Sequence, residues 1–232
     1  MVHSGADILD IGAESTRPGA EPVSSEEEKN RLRPIFDLLG RDFPLPISID
    51  TYKPEVAEFA LRRGVCMIND ITGFSHPAMQ DLAKEYAVDI CVMHMQGMPQ
   101  TMQDNPSYPE GIIPHLLQFF EKRIEELMKK GVSLHQIILD PGIGFGKTVA
   151  HNLEIYRNIH VLKKYFGLRL LLGGSRKSFM GRIVQKTYPD LLTATLVMHS
   201  IAAIQGVDIF RVHDVSQHKD LSLLTHSFLN LT

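Results

Sequence analysis

The chain has 232 residues, 44% hydrophobic and 22% charged, with a formal net charge of −3. That composition is ordinary for a globular protein, and the acidic balance argues against a general nucleic-acid binder. The two cysteines, Cys66 and Cys91, each lie in an apolar run, which argues against a disulfide framework and for a reducing compartment.

No run of about 18 apolar residues could span a membrane. The opening MVHSGADILD has neither the basic flank nor the apolar core of a signal peptide. The expectation is a cytoplasmic protein (organellar as the alternative in a eukaryote) that acts on small molecules, with no nucleic-acid or membrane partner.

Taken in order, short runs rich in Ile, Val and Leu alternate with longer segments of helical period. The runs are ADILDIG (6–12), LPISID (45–50), CMINDI (66–71), DICVMH (89–94), IILDPG (137–142), LRLLLGG (168–174) and DIFRVHD (208–214). Their near-continuous apolar character fits strands covered on both faces of a parallel sheet.

Between them, Ser24 and Ser25 each have Glu three residues later, as in a capping box. Pro54 and Pro77 sit at expected first helical turns, and Gly64, Gly131 and Gly206 at expected helix ends. Residues 111–131 form the longest amphipathic candidate, and Pro34 is expected to kink or interrupt the first long helix. HMQGMPQTMQDNP (94–106) lacks periodicity and reads as a loop. Cys66 and Cys91 read as small buried apolar residues. No linker divides the chain, so residues 1–232 read as one domain.

Such repetition fits either a doubly wound sheet or a (β/α)8 barrel. Asp10, Asp50, Asn69, His94, Asp140 and the pair Arg211/His213 fall near the C-terminal ends of different predicted strands. A barrel gathers those ends at one mouth, whereas an open sheet spreads them along an edge. The barrel is therefore favoured, with seven of its eight strands evident in the chain.

Asp50, Asn69 and Asp140 could each simply cap a following helix. With Lys177 they make a ring of acceptors, donors and one cation, suited to a flat polar heterocycle. Arg17, Arg176, Lys177, Arg211 and His213 form a second, cationic group. Arg211 lies in an apolar run and needs an anionic partner, from protein or ligand. GGSRKS opens a helix, whose N-terminus also favours an anion. A phosphate or pyrophosphate beside a heterocycle is the chemistry implied. The histidines show no His-x-x-x-His spacing for a structural zinc.

DPGIGFGKT (140–148) ends like a nucleotide-binding loop, but Pro141 stands where that loop needs its first glycine. Proline has no N–H to offer a phosphate. A nucleotide cradle is not expected there.

DILDIGAESTRPGA, ISIDTYKPEVAEFAL, INDITG, MHMQGMPQTMQ, ILDPGIGFGK, GGSRKSFMG and FRVHDV resemble, in order and spacing, the blocks of dihydropteroate synthases. The resemblance implies a (β/α)8 barrel that joins 6-hydroxymethyl-7,8-dihydropterin pyrophosphate to 4-aminobenzoate. It implies that Asp50, Asn69, Asp140 and Lys177 hold the pterin. Thr16, Arg17, Arg211 and His213 would hold the pyrophosphate, and Pro18, Phe145 and Ser178 the aminobenzoate. Lys177, Arg211 and His213 would be the catalytic groups.

Mg2+ and a homodimer are also implied by the resemblance. Family members begin with a further strand and an LNVTPDSFSDGG-like block whose asparagine ligates the metal. That block is not seen here, so no metal ligand is assigned within the chain, and low activity and stability are expected of it alone. Two rivals remain, a methyltetrahydrofolate-dependent methyltransferase domain and a non-catalytic pterin-binding barrel. The first has no reason to keep Arg211 and His213.

Overall fold

The structure, a computed structural model, describes residues 1–17, 19–40 and 42–230. The strands are β1 (Leu9–Ile11), β2 (Ile47–Asp50), β3 (Met67–Asp70), β4 (Asp89–Met93), β5 (Ile137–Asp140), β6 (Arg169–Leu172) and β7 (Ile209–Phe210). The helices are α1 (Ser25–Leu39), α2 (Pro54–Leu61), α3 (Pro77–Tyr86), α4 (Ile112–Lys130), α5 (Val149–Arg157) and α6 (Ile159–Phe166). They are followed by α7 (Ser178–Val184), α8 (Leu192–Ile204) and α9 (Val215–Leu229).

Every apolar run contributes one strand. The seven strands form one sheet in chain order, each pair parallel. This is a curled half-barrel, as expected of a barrel with seven strands evident. Among the described residues β1 and β7 share no ladder. The curl nevertheless brings them together: Arg211, just after β7, reaches Asp10 in β1.

Strand side chains alternate between faces, and here both faces are covered. Outward-facing Ile49, Ile68, Ile90, Val92, Leu139, Leu170 and Leu172 join the main core beneath the helices. Inward-facing Met67, Cys91, Ile138 and Leu171, with Ile209, fill the concave side. Two residues beyond Met67, Ile138 and Ile209 on the same face come Asn69, Asp140 and Arg211. Each strand thus plugs the interior with an apolar residue and presents a polar one at its C-terminal end.

Helix punctuation is as anticipated in several places. The Ser24 hydroxyl accepts from the Glu27 N–H at 3.2 Å at the start of α1. Pro54 and Pro77 open α2 and α3, and Gly131 closes α4 in the left-handed region.

Two expectations are corrected. α1 is not interrupted at Pro34. Buried Leu32 and Phe36 on either side anchor it to the core, which outweighs the one lost backbone bond. Cys66 is exposed, whereas Cys91 is buried. Cys66 sits one residue before β3, at the rim of the sheet where no helix covers it. Among the described residues no helix is long and apolar enough to cross a membrane.

Candidate functional site

The polar ends of the strands converge on the concave mouth. Asp50 and Asn69 stand opposite each other in the β2–β3 register, and Met93 stands opposite Asp140 in β4–β5. Asn69 and Asp140 are buried, at 5% and 4% exposure. Burial of a carboxylate is costly unless it is satisfied. Asp140 Oδ1 accepts from the Gly142 N–H at 2.8 Å, which orients the group and leaves Oδ2 over. Asn69 Oδ1 has no partner among the described residues. These leftover acceptors are what a ligand with donors would find.

Burial raises the Asp140 carboxyl to about 6, while the Gly142 N–H and Lys177 pull it down. Burial also raises Asp50 to about 7, with Arg211 opposing and Asp10 adding to the rise. Conversely, burial lowers Lys177 to about 8, with Asp140 opposing. The Lys177 ammonium lies 4.2 Å from the centre of the Phe145 ring. Gly144 gives passage to its stem, since a Cβ there would stand 3.3 Å from Lys177 Cδ. Asp140, Lys177 and Phe145 therefore adjoin.

Arg211 finds its anionic partners within the protein. Its Nε donates to Asp10 at 2.5 Å and its Nη2 to Asp50 at 2.6 Å. Asp10 Oδ1 remains buried without a partner among the described residues. His213 is placed by Ser175, whose hydroxyl lies 3.0 Å from its Nδ1. Burial lowers the His213 pKa, and the charges of Arg176, Arg211 and Arg17 add to that. Arg176 instead pairs bidentately with Asp214, at 2.8 and 2.5 Å. That pair ties the loop after β6 to the start of α9.

The loop between β1 and α1 carries Thr16 and Arg17, the latter exposed. Its stems are clasped by Lys53, which donates to Glu14 at 2.7 Å, Glu28 at 2.9 Å and the Val23 carbonyl at 2.5 Å. Ser178 is exposed at the first turn of α7. Pro18 lies outside the described residues. Gly174 is required by close packing: a Cβ there would fall 2.1 Å from the Tyr156 hydroxyl.

Lys53, Ser175 and Asp214 were not singled out by sequence reasoning, and Lys147 only as part of a rejected nucleotide loop. Each acts on a residue far along the chain, and only the Arg176–Asp214 pairing left a trace, as an arginine beside a glycine-rich turn. Lys147 turns inward to His94 at 2.9 Å. The Gly-Lys-Thr is therefore no phosphate cradle.

A curled parallel sheet with buried carboxylate and amide acceptors and cations at its C-terminal mouth is the architecture of a (β/α)8-type half-barrel with a polar site. Residues 1–213 match the model of the family described as pterin binding enzyme, and the chain belongs to that family. Its relatives include several dihydropteroate synthases. The enzyme of that name from Escherichia coli K12 is 40% identical over 217 residues, covering 94% of this chain and 76% of the relative.

The Yersinia pestis dihydropteroate synthase, solved as a sulfonamide complex, superposes with a TM-score of 0.94 at 36% identity. It covers 98% of this chain and 82% of its own. The Clostridium difficile enzyme, solved in the presence of pteroic acid, gives 0.91 at 39% identity, covering 98% and 84%.

Proposed function

We propose that the chain acts as a dihydropteroate synthase, a transferase of folate biosynthesis. It joins 6-hydroxymethyl-7,8-dihydropterin pyrophosphate to 4-aminobenzoate, giving 7,8-dihydropteroate and pyrophosphate. The observation that carries this reading is the adjacency of a buried, half-satisfied Asp140 carboxylate to Lys177 and Phe145. Pteroic acid, present with the similar C. difficile enzyme, is itself a pterin joined to 4-aminobenzoate.

Asp140 accepts two parallel N–H donors from the amino-pyrimidine edge, in the charge-assisted manner of a carboxylate. Asp50 and Asn69 take the remaining polar edge, and Lys177 lies between the two substrates. Phe145 and Ser178, with Pro18, line the aminobenzoate side. The bond from the pterin methylene to the pyrophosphate oxygen breaks, and the aniline nitrogen bonds to that carbon and loses a proton. The leaving group carries the electron pair, so positive charge must gather around it. Arg211 supplies it, with Arg17 on the loop after β1, while His213 and Thr16 donate hydrogen bonds to the leaving oxygens. To reach the pyrophosphate, Arg211 exchanges one of its two carboxylate partners. The weak aniline nucleophile needs positioning more than activation.

Magnesium fits as a companion of the pyrophosphate. Among the described residues no three His, Cys, Asp or Glu form a cage for a metal. A phosphate-borne magnesium needs only one or two protein oxygens, and the unpartnered Oδ1 of Asp10 can offer one. When bound, the ion neutralises charge on the departing pyrophosphate.

We further infer a homodimer and a cytoplasmic setting. α8 is apolar nearly all round yet exposes Val197, Ile201 and Ile204, and its neighbour α9 exposes Leu224 and Phe228. A helix of that kind asks for a cover, and a second copy of the chain supplies one. The exposed free thiol of Cys66 suits a reducing compartment.

Calorimetry with the pterin pyrophosphate, with and without magnesium, tests the reading, together with Arg211→Ala. The variant should lose far more affinity for the pyrophosphate ester than for the bare hydroxymethyl pterin. Equal losses would make Arg211 purely structural and favour a methyltransferase-like domain.

A further inference from the structure

Lys147 is buried, at 4% exposure, and its ammonium is fully engaged. It lies 2.9 Å from His94 Nδ1, 3.3 Å from the His94 carbonyl and 2.9 Å from the Phe145 carbonyl. An ammonium has three donors and no acceptor, so His94 Nδ1 accepts and its Nε2–H donates to His115 Nε2, 3.1 Å away.

The His94 residue itself is fitted to the opposite loop. Its N–H donates to the Asp140 carbonyl at 2.9 Å. A Cβ on Gly142 would stand 1.9 Å from the His94 carbonyl, so the two backbones touch. Lys147 therefore ties His94, whose N–H holds the Asp140 carbonyl at the end of β5, to Phe145 within the β5–α5 loop.

We propose that Lys147, acting through His94 and His115, is the positioning residue that holds the pterin and aminobenzoate half-sites in register with each other. The proposal rests on the assignment of Asp140 to the pterin and Phe145 to the aminobenzoate.

The trio has room for one excess proton. With Lys147 charged, the chain of bonds runs from Lys147 through His94 to His115. With Lys147 neutral, its lone pair accepts from His94 Nδ1–H and the chain reverses. A second proton, on His115, leaves His94 between two donors with a single lone pair, and one bond breaks.

The groups facing the trio come from every neighbouring element. They are Asp140 on β5, Lys177 after β6, His151 on α5, and Tyr108 and Glu110 before α4. Burial and the Lys147 charge hold His115 below its ordinary value, with Glu110 opposing. The trio comes apart only on the acid side of neutrality.

The test is calorimetry on the full chain with 6-hydroxymethylpterin, which fills one half-site, and pteroic acid, which spans both. Lys147→Met should weaken pteroic acid at least tenfold and by clearly more than it weakens the pterin alone. Equal losses, or none, overturn the proposal. Asp140→Asn serves as the reference and should weaken both ligands alike. If it weakens neither, the site assignment fails, whatever Lys147 does.

His115→Gln keeps an acceptor near Nε2 but cannot titrate, and at partly exposed His115 it spares the fold. Its pteroic acid affinity relative to wild type should be near one at pH 8 and rise several-fold by pH 5.5. A constant ratio across that range also overturns the proposal.

Discussion

At Asp140 one side chain has two oxygens with different tasks. Oδ1 holds the Gly142 N–H and keeps one lone pair for the ligand, while Oδ2 is wholly left for it. Asp140→Asn can present only one acceptor atom, so a charge-assisted bond is lost at a cost of about 1.5–3 kcal/mol. Pterin affinity should fall roughly 10- to 100-fold in a variant that still folds. Unchanged affinity would remove Asp140 from the site.

The pH dependence has a definite sign. The carboxyl is raised from 3.8 to about 6 in the ligand-free protein, and the ligand binds the ionised form. Affinity should therefore fall as pH drops below about 6, and in Asp140→Asn this limb should be missing when titrated over the same range. The same shift means that the native state holds an extra proton between those two values. Its contribution to the stability of the ligand-free protein thus declines as pH rises from 3.8 to about 6.

α1 keeps an exposed proline in its interior. The proline denies the Asn30 carbonyl its i+4 partner and strains the turn. Pro34→Ala restores that bond and should stabilise the protein by about 1–3 kcal/mol. Thermal unfolding is the measurement, and a lower melting temperature would contradict the account. The β5–α5 loop shows the opposite case. Gly142 has φ of +69° and no space for a Cβ, so the register of two loops depends on one missing methyl group.

For the molecule as a whole, the sheet and its helices leave two adjoining apolar surfaces outward, on α8 and α9. Leu224 and Phe228 are 72% and 63% exposed, and they lie one helical turn apart. If a second copy covers this face, Leu224→Glu together with Phe228→Glu should convert a dimer to a monomer in sedimentation. The pterin affinity of each subunit should persist, because the mouth of the sheet lies elsewhere. A wild-type monomer at micromolar concentration would end the dimer reading. The curl of the sheet is also a whole-molecule property. It sets Arg211 against Asp10 and Asp50, residues 201 and 161 positions away.

By itself the sequence determined the seven strands, the parallel α/β plan and the polar residue ending most strands. Those features are local: apolar runs a few residues long, glycine and proline at turns, and a two-residue alternation that puts Ile138 and Asp140 on one face. Family blocks added the pterin chemistry, because they preserve the spacing of such ends. What only the tertiary structure decided is which charges meet. Arg211 could be read as a pyrophosphate ligand but not as the clasp of two aspartates. Lys147 could be excluded from a nucleotide loop but not placed behind His94. Cys66 read as buried until the rim of the sheet was seen to leave it uncovered. Each of these outcomes depends on the curvature of the sheet and the course of the loops across its mouth. No short window of residues encodes those distances, because they are set by packing between segments far apart in the chain.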